Sequence, residues 1–277
     1  MPHIPPRGAV IDITTVRSFR IARTRADLAL APGEVVIAGG TWLMSEPQPG
    51  VTGFVDMTGM GWPDLEVSPE GLRIAATCTI ARLVAFSAEA PADWTAAAMI
   101  PDAANALLAS FKIWNTATVG GNICRAFAAG AMVSLAVALD GVAEIWDGAV
   151  EREMPVAEFV TGNGTTALAA GEVLRGIRVP VHALRSRAAL RKIALAEHGR
   201  SGAVVTGRVD PDGAHVFTVT AATWTPTVLR FAGAPDAAAL AAAVREAPGY
   251  YTDPLGWADW RRGVSVVLAE QIRRELA

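Results

Sequence analysis

Cysteine is nearly missing from this 277-residue chain: Cys78 and Cys124 are the only two. Two thiolates cannot complete an iron–sulfur cluster or a tetrathiolate zinc site, each of which needs four ligands. No ladder of cysteines marks a secreted disulfide scaffold. Lysine is as scarce, since Lys112 and Lys192 stand alone among basic residues that are otherwise arginine. Charged residues make up 18% of the chain and the net charge is −3. No basic field is therefore available to attract nucleic acid or an acidic membrane surface. Long apolar runs are lacking too. The longest, at 126–139, is broken by Gly130 and Ser134 and falls short of the roughly 20 residues of a membrane span. Residues 1–7 carry no apolar leader core, which makes the cytoplasm the expected compartment. His3, His182, His198 and His215 are scattered without metal-ligand spacing. Ser201-Gly202 lacks the setting of a nucleophile elbow. No metal ligand, catalytic nucleophile or base is nominated.

Core-building residues are plentiful, at 52% of the sequence. The length suits two or three modest subdomains. Two glycine-centred segments stand out: Ala38-Gly39-Gly40-Thr41-Trp42 and Thr118-Val119-Gly120-Gly121-Asn122. Each borders an apolar stretch and leads towards a helix-like run. Loops of this kind expose backbone N–H groups, because glycine has no Cβ to hold an anion away. Neither segment has the third glycine of a dinucleotide fingerprint, and neither is followed by the lysine of a phosphate loop. Two cradles in one chain point to one extended, phosphate-bearing ligand gripped at two places.

The pattern predicts strands at 34–38 and 53–57, with a helix beginning at Thr41 and stopped by Pro47. It predicts a hairpin over 65–76, a helix capped by Thr79 and a second helix over 102–110. A buried helix at 132–139 should pack under the second glycine segment. A hairpin over 141–153 and an outgoing strand over 171–180 follow. Beyond about residue 185 the periodicity changes to strands at 190–194, 203–209, 215–220 and 224–231, with a turn at Asp210-Pro211-Asp212-Gly213. Helices at 237–245 and from Trp257 onward close the chain. Trp257, Trp260, Val264, Val267, Leu268 and Ile272 form the apolar stripe of the last helix.

The wording around the glycines is more specific than the glycines. Residues 37–43 and 115–123, in order with 171–180, Arg191-Lys192-Ile193-Ala194 and 253–262, resemble the flavin-binding medium subunits of molybdenum hydroxylases. That family includes the carbon monoxide dehydrogenase and xanthine dehydrogenase flavoproteins. The resemblance implies an α+β fold of the vanillyl-alcohol-oxidase-like PCMH type. Its FAD-binding domain would span 1–182, with subdomains at about 1–60 and 61–182, and a C-terminal antiparallel sheet with helices would span 183–277. It implies FAD held by Ala38, Gly39, Gly40, Thr41 and Trp42 and by Thr118, Val119, Gly120, Gly121 and Asn122. Leu174 would meet the flavin, and Lys192 would lie near its ring. The sequence departs from the family's usual Asn-Ala-Ser-Pro-Ala-Gly-Asp after the second segment, reading Arg125-Ala126-Phe127-Ala128-Ala129-Gly130-Ala131 instead. Ala131 thus replaces an acid and Phe127 a serine. Trp42 stands where a small or acidic residue is common, and Trp114 where arginine is common.

The implied role is an electron-transfer subunit. It would pass electrons from iron–sulfur clusters to an external acceptor, alongside a large molybdopterin subunit and a small iron–sulfur subunit in a heterotrimer or its dimer. Molybdopterin and the clusters would belong to those partners. A stand-alone FAD oxidoreductase and a scaffold of the same fold that has lost FAD are the alternatives.

Overall fold

The computed structural model describes residue 13, residues 15–197 and residues 199–277. Expectations resting on residues 1–7, His3 and His198 lie outside the described residues. The chain opens with three short parallel strands, β1 (Ser18–Ile21), β2 (Glu34–Ile37) and β3 (Gly53–Asp56), ordered β1-β3-β2. β3 is central and buries Phe54 and Val55. The first glycine segment leaves the C-terminal end of β2, which is where parallel strands present ligands. The helix expected from Thr41 does not form. Two turns replace it, closed by Met44 N–H to the Gly40 carbonyl at 2.8 Å and Ser45 N–H to the Trp42 carbonyl at 3.0 Å. Gly40 has a φ of +65°, which interrupts a right-handed path, and Pro47 stops any continuation.

The middle of the chain builds an antiparallel sheet with helices against it. β4 (Leu65–Ser68) and β5 (Gly71–Ala75) pair as the expected hairpin. Helices α1 (Ile80–Phe86), α2 (Ile100–Asn105), α3 (Phe111–Trp114), α4 (Val119–Arg125) and α5 (Ala131–Ala138) follow. Thr79 caps α1 as anticipated, its hydroxyl accepting from the Arg82 N–H at 3.1 Å. Every residue of α5 is buried, because a helix apolar all round has no solvent face to offer. Its one hydroxyl, Ser134 Oγ, meets the Gly130 carbonyl at 3.2 Å and Thr220 Oγ1 at 2.7 Å. Hairpin β6 (Val142–Asp147) and β7 (Val150–Pro155), helix α6 (Val156–Phe159), the ribbon β8 (Val160–Gly162) and β9 (Thr165–Thr166), and strand β10 (Val173–Pro180) complete the unit. β10 inserts at the centre, giving the order β4-β5-β10-β6-β7.

The second helix ends at Asn105, not at Ser110. Its last carbonyls are taken by groups from the C-terminal part of the chain. Lys192 Nζ donates to the Asn105 carbonyl at 2.8 Å, and Ser201 Oγ donates to the Ala106 carbonyl at 3.1 Å. A cation at a helix C-terminus satisfies orphan carbonyls and the dipole together.

After α7 (Val181–Leu184), strands β11 (Arg187–Ile193), β12 (Ala203–Val209), β13 (His215–Thr220) and β14 (Thr227–Phe231) form an antiparallel meander. Helices α8 (Ala237–Glu246) and α9 (Ala258–Leu276) pack against it. Trp257 is not on a buried stripe: it is the N-cap of α9 and is 75% exposed, and Val267 is exposed too. The buried face runs through Arg261, Ser265, Leu268, Ile272 and Leu276 instead. The larger core passes from Ala22 and Val55 through α5 to Leu190, Val204 and Ala221, and so crosses the boundary expected at 182/183. A second core lies between the C-terminal sheet and its helices. Among the described residues, no helix is long and apolar enough to cross a membrane.

Candidate functional site

The two glycine segments meet where the first unit abuts the second. A Cβ on Gly39 would sit 1.9 Å from the Thr116 carbonyl oxygen, so only glycine lets these backbones touch. Between them opens a cavity of about 850 Å³, near the top of the roughly 300–1,000 Å³ range of small-molecule and cofactor sites. Its wall draws on 36–43 at the end of β2 and beyond it, on 106–109 beyond α2, on parts of the stretch 117–130 around α4, on Leu168, Val173 and Leu174, and on Arg200.

Of the twelve site residues expected from sequence, Ala38, Gly39, Gly40, Thr41, Trp42, Thr118, Gly120, Gly121, Asn122 and Leu174 line this cavity. Val119 and Lys192 are not brought to it. Val119 is buried in the core, and Lys192 is held on the Asn105 carbonyl.

The two segments differ in what they offer. No amide from Gly39 to Leu43 donates to a protein acceptor among the described residues. Five consecutive N–H groups on lining residues are thus without a protein acceptor. The sequence pattern of the second segment predicts a loop bordering an apolar stretch. The segment is instead the first turn of α4, entered from α3 and capped by Thr118. Its amides are spent. Val119 N–H reaches the Cys78 carbonyl at 2.9 Å, Gly120 N–H the Ala76 carbonyl at 3.0 Å, and Gly121 N–H the Thr118 hydroxyl at 3.0 Å. Asn122 N–H closes the first helical bond to the Thr118 carbonyl. Gly120 is required by packing, since its Cβ would lie 2.5 Å from Ala76 Cβ. What this segment brings to the wall is the bare backbone of Gly120 and Gly121 together with Thr118 and Asn122. The Asn122 carbonyl oxygen accepts from Met132 N–H at 2.9 Å, which leaves its NH₂ as the donor.

The cavity carries positive charge without an acid. Arg125 and Arg200 line it, and no Asp or Glu does among the described residues. Sequence reasoning did not nominate either arginine. The available signal was Arg125 four residues beyond Gly121. Trp42 and Phe127, noted as departures, pack edge to face with centroids 5.0 Å apart. Ala131 is buried at the start of α5 and is not among the lining residues. Cys124 also lines the cavity, but burial pushes its thiol up to about 12, so it is a packed neutral group. His215 is buried and held below its ordinary value by desolvation. Among the described residues, no cluster of His, Cys, Asp or Glu could hold a metal.

These features fit a flavin dinucleotide. Free amides and a cationic side chain suit a diphosphate. The Leu107, Leu108, Ile113, Leu168 and Leu174 surfaces suit flat rings.

Comparison with known proteins agrees. A family model described as "FAD binding domain in molybdopterin dehydrogenase" matches residues 14–182, which contain the whole cavity wall except Arg200. No curated protein matches the chain in sequence. Solved structures do match its fold. A chain of quinoline 2-oxidoreductase from Pseudomonas putida 86 superposes with a TM-score of 0.78 at 20% identity, over 94% of this chain and 96% of that one. A chain of CO dehydrogenase from Oligotropha carboxidovorans gives 0.79 at 19% identity, over 94% and 98%. A chain of carbon monoxide dehydrogenase from Hydrogenophaga pseudoflava gives 0.77 at 18%, over 99% and 98%. Coverage this complete in both directions extends the common fold through the C-terminal sheet, beyond the segment that the family model matches.

Proposed function

The chain belongs to the FAD-binding domain family of molybdopterin dehydrogenases, and from that membership we propose that it is the flavoprotein subunit of a molybdenum hydroxylase-type complex. It would accept electrons from the iron–sulfur clusters of a small subunit and pass them to an external acceptor, while a large molybdopterin subunit oxidises the substrate. The observation that carries this reading is the run of five free amides, Gly39 to Leu43, on the wall of an acid-free cavity of about 850 Å³.

In this reading the amides of 39–43, the Thr41 hydroxyl and the Asn122 NH₂ hold the diphosphate. Thr118 positions α4, because its hydroxyl already accepts from Gly121 N–H. Leu174, buried at the end of β10 where a bulge shifts the register between Leu174 and Gly176, presents an apolar surface to the ring system and excludes water there. FAD, when bound, supplies the two-electron acceptor chemistry, and the protein supplies placement and electrostatics. The two cysteines are free, which suits a reducing compartment, and we assign the protein to the cytoplasm.

The visible spectrum of the purified chain tests the cofactor. Flavin bands, present at once or after soaking with FAD and removing the excess, are expected. A preparation that stays colourless, alone and with its partners, would favour the FAD-free scaffold. Co-purification with chains carrying iron and molybdenum tests the complex. A yellow chain that purifies alone and turns over a small substrate would make it a stand-alone oxidoreductase.

A further inference from the structure

Arg125 is the last residue of α4 and lies on the wall beside both aromatic departures. Its guanidinium carbon is 4.3 Å from the Trp42 ring centre and 4.1 Å from the Phe127 ring centre. The two rings stand edge to face to each other, 5.0 Å apart, so the cation rests in the corner they form and is held there by two cation–π contacts. Its N–H edge has no protein acceptor. Nε is buried without a partner, and neither terminal nitrogen makes a hydrogen bond or ion pair among the described residues. Burial pulls the guanidinium below its ordinary value, with Glu46 acting in the opposite sense. Native proteins seldom leave a buried donor unpaired unless something else completes it. Arg208 bonds to Asp140, Asp210 and the Ala138 carbonyl, and Arg261 to Asp253 and three carbonyls, whereas Arg175 and Arg25, like Arg125, each keep one buried nitrogen without a partner. Arg125 differs in facing a cavity. It rests against the ring of Trp42, a residue of the stretch whose amides have no protein acceptor, and both line the same cavity.

We propose that Arg125 is the side chain that grips a phosphoryl oxygen of the bound nucleotide, with Trp42 and Phe127 holding its fork in position, and that it makes the cavity select phosphorylated ligands over uncharged ones. The proposal rests on the reading of the cavity as the FAD site. It assigns the anion contact to a side chain and not to backbone alone. Arg200, 5.8 Å from the Phe127 ring, adds positive charge to the same cavity wall.

The test uses the full chain stripped of flavin, and titrates FAD, riboflavin and inorganic pyrophosphate into wild type, Arg125→Met and Arg125→Lys. Arg125→Met keeps the apolar stem between the rings and removes the fork. It should weaken FAD about 10- to 100-fold, the range of a charge-assisted hydrogen bond. Pyrophosphate should weaken likewise, and riboflavin should stay within about threefold. Arg125→Lys should recover part of the loss, because it returns the charge without the bidentate edge. It also guards against a Met variant that fails to fold. Unchanged FAD affinity in a folded Arg125→Met, or equal losses for FAD and riboflavin, would overturn the proposal. A wild type that takes pyrophosphate in an Arg125-dependent way but no FAD would keep the anchor and sink the FAD reading. A wild type that binds none of the three would sink both.

Discussion

At the scale of single residues, the glycines matter for a reason that their sequence setting did not reveal. The sequence suggests that Gly39 and Gly120 are gaps through which an anion approaches. Their missing Cβ atoms would instead collide with protein, Gly39 with the Thr116 carbonyl and Gly120 with Ala76. Gly121 is different, since its Cβ would meet only the Thr118 hydroxyl, at 2.9 Å. Gly39→Ala and Gly120→Ala are therefore expected to destabilise the fold by about 1–3 kcal/mol through overpacking. They should lose bound flavin as a consequence. Gly121→Ala should cost about 1 kcal/mol through its cap and stay yellow. Thermal melts paired with the flavin absorbance of each variant check this ranking. Loss of colour at unchanged melting temperature would return the glycines to the ligand side. Nine of the ten expected residues on the cavity wall belong to the two glycine segments, which small residues make visible in a string, and Leu174 was reached only through the family resemblance. The sequence was silent on Arg125 because an arginine lacking an acid partner looks the same in a string as one that has several.

At the scale of elements, Lys192 behaves as a helix cap. Its ammonium sits on the end of α2 and ties that helix to β11 of the C-terminal sheet. Lys192→Met should lower stability by about 0.5–1.5 kcal/mol, as the loss of one hydrogen bond at a helix C-terminus does, and leave the flavin midpoint potential unmoved. A shifted potential at unchanged stability would place the ammonium near the ring after all. The loop after α5 is held more firmly. Asp140 accepts from Arg208 and from Arg230, the latter at 2.6 Å. Burial pushes its carboxyl up, but the two guanidiniums outweigh burial and hold it below its ordinary 3.8. A depressed folded value contributes stability that is complete above the ordinary value and is lost as pH falls through the folded one. Asp140→Asn should thus cost on the order of 3 kcal/mol near neutrality, with the gap to wild type closing below pH 3.8. Urea unfolding from pH 7 down to 3 measures it, and a gap independent of pH would remove Asp140's charge from the account. Periodicity made most of these elements legible, including the meander and the wholly buried α5. It failed where a polar residue carries the core. The α9 stripe runs through Arg261, whose guanidinium reaches the Gly202 and Ala221 carbonyls and Asp253 and lies 4.1 Å from the Tyr251 ring centre. An apolar period that counts Trp257 and skips Arg261 puts the helix face wrong.

At the scale of the whole molecule, the question is whether the FAD-binding part is a separable unit. The core argues that it is not. Apolar packing runs unbroken from β3 through α5 to Leu190 and Val204. Polar contacts cross the same boundary, with Ser134 on Thr220, Ala221 N–H on the Ala128 carbonyl, and Thr95 on the Ser186 carbonyl. Arg208 reaches the Ala138 carbonyl from β12. The cavity joins the pieces again, because its wall takes residues from the first sheet, from the α4 region, from β10 and from Arg200 beyond β11. A ligand that binds only the folded state stabilises it by about 2.7 kcal/mol at a hundredfold excess over Kd. In a chain of this size that is a rise in Tm of about 5 °C. If the molecule is one cooperative unit, calorimetry should give a single transition, and FAD should move all of it. Tryptophans on both sides of the boundary, Trp94 in the middle unit and Trp224 in the C-terminal one, allow replacement variants to report each half separately, and the two melts should coincide with and without FAD. Two transitions, with FAD raising the first and leaving the second in place, would mean that the C-terminal sheet folds independently and that Arg200 adds little to the binding energy.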